Sequence, residues 1–244
     1  MRVTRCHVDL VLTPGAELLL PETTANHLLR VLRLGQGDGC VLFNGDGHDY
    51  PATLIAVGKR EARVRVASPV PVETESPRVI HLLQGIARGE KMDLILQKAT
   101  ELGVSAVLPV DAERTEVKLD AARAAKRMAH WRNVIVSACE QCGRARVPTL
   151  APPRSLAEAA AAVPADALKL TLDPAGEHRL STLQASPGTP LVVAIGPEGG
   201  WSPRDRQTLA AAGFQGLRLG PRILRTETAG LAAIAALQAR LGDL

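Results

Sequence analysis

Leu191-Val192-Val193-Ala194-Ile195-Gly196-Pro197-Glu198-Gly199-Gly200-Trp201-Ser202-Pro203-Arg204-Asp205 passes from strand through loop to helix start within a single short stretch. The leading apolar run, rich in β-branched residues, reads as a strand buried on both faces. Gly196, Gly199 and Gly200 then let backbone approach a ligand closely. Ser202 caps the next helix, Pro203 sits in its first turn where an amide would be unpaired anyway, and Asp205 completes a capping box. A buried strand running straight into a helix belongs to a parallel sheet with helical crossovers, where ligands bind beyond the carboxyl ends of the strands. The loop is therefore a candidate site, although a tight turn without a ligand would use the same residues.

Working outward, the chain from residue 78 alternates in this way. Val79–Ile86 is an apolar run. Glu90–Leu102 places Met92, Ile95, Leu96, Ala99 and Leu102 on one helical stripe closed by Gly103. Ala106–Val110 is a strand. A helix from about Asp120 to Cys142 sets Met128, Trp131, Ile135, Ala138, Cys139 and Cys142 on one face and Arg123, Lys126, Arg127 and His130 on an adjoining one. Leu168–Leu172 and Gly216–Leu219 are further strands, Pro203–Ala212 and Thr226–Leu241 further helices, and the Ala-rich stretch at 157–162 is a helix. The fold class is α/β with a parallel sheet.

The first part reads differently. Cys40–Asn44, Ala52–Val57 and Ala62–Ala67 are short strands separated by Asn44-Gly45-Asp46-Gly47 and Gly58-Lys59, which predicts a small barrel or sandwich. Before them Thr24–Leu34 is expected to be a helix, capped by Thr23 or Thr24, stopped by Gly35, with Arg30 and Arg33 one turn apart. Prolines 69, 71 and 77 interrupt any periodicity, so the boundary is placed there, between a domain of residues 1–72 and one of 73–244.

Composition narrows the function. With 46% hydrophobic residues in 244, the chain has apolar material for a core and no disordered or fibrous character. No bilayer-length apolar run or signal-peptide core occurs, so the expected compartment is cytoplasmic. Cys6, Cys40, Cys139 and Cys142 are too few and too irregular for a disulfide framework. The lone Cys139-Glu140-Gln141-Cys142 pair lacks partners for a zinc tetrahedron and reads as helix packing, with no metal expected. The net charge is only +4, but Glu113–Val147 holds 8 basic against 4 acidic residues, a surface suited to a polyanion such as RNA or simply a solvated helix face. Aromatics at 2% argue against a base-stacking platform.

The quoted loop carries no lysine and matches neither the Walker nor the dinucleotide glycine pattern, which disfavours nucleoside triphosphates and NAD. A ligand gripped by main-chain groups fits better. A second loop, Leu219-Gly220-Pro221-Arg222-Ile223-Leu224-Arg225-Thr226-Glu227-Thr228, ends at the mouth of the last helix, where unpaired amides and the helix dipole point outward. Alternatively, Thr226 is a simple cap and Arg225 pairs with Glu227.

These two loops, together with Arg88-Gly89-Glu90-Lys91-Met92, Gln97-Lys98-Ala99-Thr100-Glu101-Leu102-Gly103-Val104, Glu113-Arg114-Thr115-Glu116-Val117-Lys118-Leu119, Ala138-Cys139-Glu140-Gln141-Cys142-Gly143-Arg144 and Asn26-His27-Leu28-Leu29-Arg30-Val31-Leu32-Arg33-Leu34 through Gly37-Asp38, closely resemble the bacterial 16S ribosomal RNA uridine-N3 methyltransferases of the SPOUT superfamily. The similarity covers nearly the whole chain. One departure stands at Ala25-Asn26 before His27, where the family can carry a bulkier residue or a second His.

The resemblance implies an amino-terminal PUA-like β-barrel, a carboxy-terminal α/β domain threaded into a trefoil knot, a homodimer, and S-adenosylmethionine held in the knot. It places that cofactor against Leu172, Gly196, Pro197, Glu198, Gly199 and Gly200 and against Leu219, Gly220, Leu224, Arg225, Thr226 and Thr228. Arg225 is then expected to stabilise negative charge on the uracil carbonyls, with Glu227 as proton acceptor, as a partner that orients Arg225, or as a cap. Arg5, Arg30, Arg33, Arg88, Lys91, Arg114, Lys118 and Arg144 become candidate contacts to 16S rRNA, and Glu140 and Gln141 candidates for orienting the nucleotide. Competing readings are a non-catalytic RNA-binding module, a related enzyme acting on another RNA nucleotide, and an NAD-dependent oxidoreductase.

Overall fold

The computed structural model describes residues 4–117 and 120–244, and the chain forms two compact units. One is the chain through Glu75 with Cys139–Val147, and the other is Ser76–Ala138 with Pro148–Leu244. The division thus falls at Glu75, three residues beyond the expected one, and the end of the long helix belongs to the first unit.

The first unit is a sheet of β1 (Arg5–His7), β2 (Glu17–Leu19), β3 (Gly39–Phe43), β4 (His48–Val57), β5 (Ala62–Val66) and β6 (Val70–Pro71). Its order is β1-β3-β4-β5-β2, with β6 on β4, and every pairing but the parallel β1–β3 is antiparallel. β5 has the expected alternation, with Ala62, Val64 and Val66 buried between exposed Arg63 and Arg65. The turn before β4 closes through Asn44 and Asp46 side chains, with Gly45 and Gly47 at positive φ.

The expected helix is shorter and starts earlier. α1 spans Glu22–Asn26 behind Pro21, whose extended ψ makes it the cap, and a π turn follows over His27–Val31. Burying Ala25 and Leu28 together on the sheet's core outweighs the hydroxyl caps offered by Thr23 and Thr24. The chain then breaks at Arg33, in the left-handed region at φ 57°, before Gly35 is reached, so Arg30 and Arg33 are not one helical turn apart.

Two arginines are struts of this unit. Arg5 lies 4.6 Å over the Phe43 ring and donates to both Asp49 carboxylate oxygens at 3.0 and 2.6 Å and to the carbonyls of Cys139 and Arg144. Arg144, 4% exposed, makes a fork to Glu75 at 3.0 and 2.6 Å. Cys6, Cys40 and Cys139 are buried, and burial pushes their thiols up to about 12, 11 and 12, far from the thiolate that redox or metal chemistry needs. Among the described residues no three His, Cys, Asp or Glu side chains gather as a metal site, and no helix is long and apolar enough to cross a membrane.

In the second unit β7 (Ile80–Gly85), α2 (Glu90–Glu101), β8 (Ala106–Asp111), α3 (Ala121–Cys142), β9 (Thr149–Leu150), β10 (Arg154–Ser155), α4 (Leu156–Ala161), β11 (Leu168–Leu172), β12 (His178–Arg179), β13 (Leu191–Ile195), α5 (Pro203–Ala211), β14 (Gln215–Arg218) and α6 (Thr226–Leu241) build an all-parallel sheet. The order is β10-β8-β7-β13-β11-β14-β12, with β9 on β8. All five residues of β13 are buried, as a central strand covered on both faces requires. The predicted capping box of Ser202 with Asp205 opens α5, and a second one, Ser155 with Glu158, opens α4. In α3, Trp131, Ile135, Ala138 and Cys139 are buried, whereas Met128, like Leu102 after α2, stays only half-buried at the edge of its stripe.

The order β13-β11-β14 matters most. The chain leaves β14 on the far side of β11, yet α6 packs on β13, β7 and α2, so residues 219–225 must cross back over the carboxyl end of the sheet. Gly230 of α6 faces Ile195 and Leu82 of those strands at van der Waals range. Replacing Arg5 by Met, which keeps the stem but leaves Asp49 and two carbonyls without their donor, is expected to cost the fold roughly 2–4 kcal/mol. A fall in the urea midpoint followed by circular dichroism measures it.

Candidate active site

The crossing 219–225 and the loop after β13 meet through one hydroxyl. Thr226 donates to the Gly196 carbonyl at 2.6 Å and accepts from Gln84 Nε2 at 3.0 Å, while the same amide donates to the Gly85 carbonyl at 2.9 Å. Gln84 is fully buried at the end of β7, a polar residue inside an apolar run. Gly85 is required beside it: a Cβ would strike the Pro197 nitrogen and come within 2.6 Å of Pro197 Cδ and 2.9 Å of the Gly196 carbonyl carbon. Gly196 is similarly pressed on Gly200, and Gly200 takes φ +65° after its amide closes a turn on the Pro197 carbonyl.

Between these segments lies a cavity of about 530 Å³, within the usual range of small-molecule sites. Its apolar wall comes from Leu172, Ile195, Leu217, Leu219, Leu224 and Ala229, and the rest from backbone at Gly196, Pro197, Gly200 and Gly220 and from charged side chains at the rim. Trp201 lines it too, its indole N–H held by Thr171 at 3.0 Å.

The charged groups are ordered around Glu198. Its Oε1 accepts from the Arg88 amide at 3.0 Å and from Lys91 Nζ at 3.3 Å. Burial pushes its carboxyl up, but the Arg88 amide, its own amide and the Lys91 ammonium outweigh that and hold it below the usual carboxylate range. Lys91 Nζ also lies 4.0 Å from Glu227 Oε2, a buried oxygen with no hydrogen-bond partner among the described residues. Arg225, exposed at the rim as the residue before α6, has no partner recorded among the described residues, so it does not pair with Glu227. Thr226 is not the cap; it is the first residue of α6 and ties the loops instead.

Known proteins settle the family. Residues 74–238 match the RNA methyltransferase domain model and residues 20–67 the RNA methyltransferase PUA domain model. Over all of this chain and 98% of the other, it is 30% identical to ribosomal RNA small subunit methyltransferase E of Buchnera aphidicola subsp. Schizaphis graminum. The chain belongs to the family of ribosomal RNA small subunit methyltransferase E. Two solved structures agree: a methyltransferase from Legionella pneumophila in complex with bound SAM, 40% identical with a TM-score of 0.95 over 100% of both chains, and the ribosomal RNA small subunit methyltransferase E of Neisseria gonorrhoeae bound to S-adenosyl methionine, 40% identical with a TM-score of 0.94 over 99% of both. The chain is thus an RNA methyltransferase with an amino-terminal PUA-like domain.

Against this family's expected site, the cavity gathers Leu172, Gly196, Pro197, Glu198, Gly200, Leu219, Gly220, Leu224, Arg225, Thr226 and Glu227. Gly199 and Thr228 lie outside its lining: the Gly199 carbonyl accepts from Arg114 at 3.0 Å, and the Thr228 amide donates to Arg225 in the first turn of α6. Of the expected RNA contacts, Arg30, Arg33 and Arg88 are exposed, with Arg88 2.8 Å from Glu116. Arg5 and Arg144 are spent on internal pairs, and Glu140 accepts the His7 amide at 2.9 Å. Gln141 is exposed, and Lys118 lies outside the described residues. Sequence reasoning missed Gln84, whose signal was an amide in an otherwise apolar strand.

Two outcomes follow. Gly85→Ala is expected to displace the 196–200 loop and destabilise the protein by about 1–3 kcal/mol, read as a lower Tm. Because the folded Glu198 pKa lies below its ordinary 4.5, its stabilising contribution is complete above that value and is lost as pH falls through the folded pKa. The wild type therefore loses Tm more steeply on acidification than Glu198→Gln, and equal slopes contradict the pairing.

Proposed function

We propose that this protein transfers a methyl group from S-adenosylmethionine to N3 of one uridine near the 3′ end, the decoding region, of 16S rRNA. The family membership supports rRNA as substrate, and two 40% identical structures with bound donor support the cofactor. The single observation that carries it is the cavity made where the two loops meet, walled by apolar side chains and glycine-loop backbone with charged side chains at its rim.

That lining fits the donor. Leu172, Leu219 and Leu224 supply apolar surface for an adenine, and the glycine loops allow close main-chain approach. Bound there, S-adenosylmethionine supplies a sulfonium methyl, so that a nitrogen–carbon bond forms as the sulfur–carbon bond breaks with its electron pair left on sulfur.

The chain's residues do the rest. N3 sits on the Watson–Crick edge, so the uridine has to be unpaired or flipped to reach the cavity. Arg225, unpaired at the rim, offers donors to the uracil carbonyls as the imide proton leaves. The orphaned Glu227 Oε2 is an acceptor waiting for an N–H, and we assign it the N3 proton, while Lys91 fixes the carboxylate from 4.0 Å. Arg30, Arg33, Arg88, Lys91 and Arg114 are kept as candidate phosphate contacts and Gln141 as a nucleotide contact. A homodimer and a knotted crossing at 219–225 are part of the same reading and rest on the family resemblance. Sedimentation at micromolar concentration is expected to give the mass of two chains.

Mass mapping of small-subunit rRNA tests the assignment: 3-methyluridine is expected at one position in cells that carry the gene and absent after its deletion. Retention of the mark, or loss of a different methylated nucleoside, contradicts it. Arg225→Ala is expected to lower kcat by roughly 10²–10³ with donor affinity little changed. Unaltered turnover removes this residue from the chemistry.

A further inference from the structure

A second concavity of about 760 Å³ lies between α2 and α3 in the same unit. We propose that it is the chamber that receives and reads the target nucleotide, an inference that rests on the methyl-transfer reading above. Its lining shares just two residues with the donor cavity, Lys91 and Glu227, the ion pair already placed at the reacting edge. A base lying in the groove therefore meets the donor cavity across that pair.

The groove wall has the chemistry of a pyrimidine reader. Gln97 on α2 and Asn133 on α3 each carry an amide donor and acceptor, and Ser137 adds a hydroxyl, which together match the alternating carbonyl, N–H, carbonyl edge of uracil. Leu94, 41% exposed on a helix whose other large apolar residues are buried, and the half-buried Val134 offer a flat apolar contact for the ring.

Two buried acceptors lack any hydrogen bond here: Asp93 Oδ1, whose other oxygen holds His130 Nε2 at 2.8 Å, and Glu227 Oε2. Buried polar atoms in native proteins are rarely left unpaired, and a bound nucleotide brings N–H and 2′-hydroxyl donors. The order of side chains along α3 fits the same occupant. Lys126, His130, Asn133 and Ser137 follow one another at helical spacing on one stripe, with the Lys126 ammonium at its outer end and the Asn133 amide and Ser137 hydroxyl in the groove. Lys126 can meet a phosphate while Asn133 and Ser137 read the base.

The experiment uses the full-length protein, S-adenosylmethionine and small-subunit rRNA with 4-thiouridine at the methylated position. Photo-crosslinking is expected to map to peptides of α2 and α3. Asn133→Leu and Ser137→Leu, on an exposed helix face where leucine is tolerated, are expected to lower kcat/KM for rRNA about tenfold or more with donor affinity, Tm and assembly mass unchanged. Ala129→Leu, exposed off the stripe, is expected to change nothing. A crosslink confined to other segments, or normal kcat/KM in both groove variants, overturns the proposal. So does a change of assembly mass in those variants, which would give the groove to a second copy. Wild-type protein that leaves the uridine unmethylated removes the reading underneath; wild type that methylates it while the groove variants are silent removes this proposal alone.

Discussion

Everything at the carboxyl end of the second unit's sheet hangs on the Thr226 hydroxyl. It joins three segments far apart in the chain: the end of β7 through Gln84, the loop after β13 through the Gly196 carbonyl, and the first turn of α6, which contains it. Because β14 lies beyond β11, α6 has to be brought back across the sheet, and a crossing with nothing to receive it would leave the 219–225 segment and the glycine loop unanchored. One buried, fully used hydroxyl resolves both, with donor and acceptor each engaged in a dry environment where such a pair is costly to break. A small residue completes the constraint: Gly85 lies beneath Pro197, and any side chain there would push the joined segments apart.

Around that join the charges are arranged asymmetrically. Glu198 is satisfied by an amide and an ammonium, which hold its carboxyl below the usual carboxylate range. Glu227 shares the same lysine at longer range and keeps one oxygen without a partner. Two carboxylates facing one cavity from unlike environments suit unlike tasks, one fixing the electrostatics of the donor site and the other exchanging a proton. Among the described residues the exposed Arg225 side chain has no partner, while its neighbour Thr226 is held inward and Glu227 lies 4.0 Å from Lys91. The α2–α3 groove meets the cavity at this same lysine and carboxylate.

What could be read from the sequence was what local chemistry decides. The start of α5 is written in Ser202, Pro203 and Asp205, the alternation of β5 in five residues, and the two glycine loops in their own composition, so strand order aside, the fold class and the main walls of the cavity were legible. The failures lie where partners are remote in sequence. Thr23 and Thr24 look like caps, but burial of Ala25 and Leu28 decides where α1 begins. Arg5 and Arg144 look like free cations in a basic chain, and only the fold shows Asp49 and Glu75 waiting for them. Gln84 shows in the sequence only as an amide in a largely apolar strand, because its meaning depends on a threonine 142 positions away.

The central claim is that the two loops joined by Thr226 form one binding site for a sulfonium cofactor. Calorimetric titration of S-adenosylmethionine into the wild type and into Thr226→Val tests it most directly. The account predicts saturable binding to the wild type and at least about tenfold weaker binding once the hydroxyl is gone, the cost of one buried hydrogen-bonded link. No binding to the wild type at millimolar donor, or equal affinity in a folded Thr226→Val variant, would contradict it.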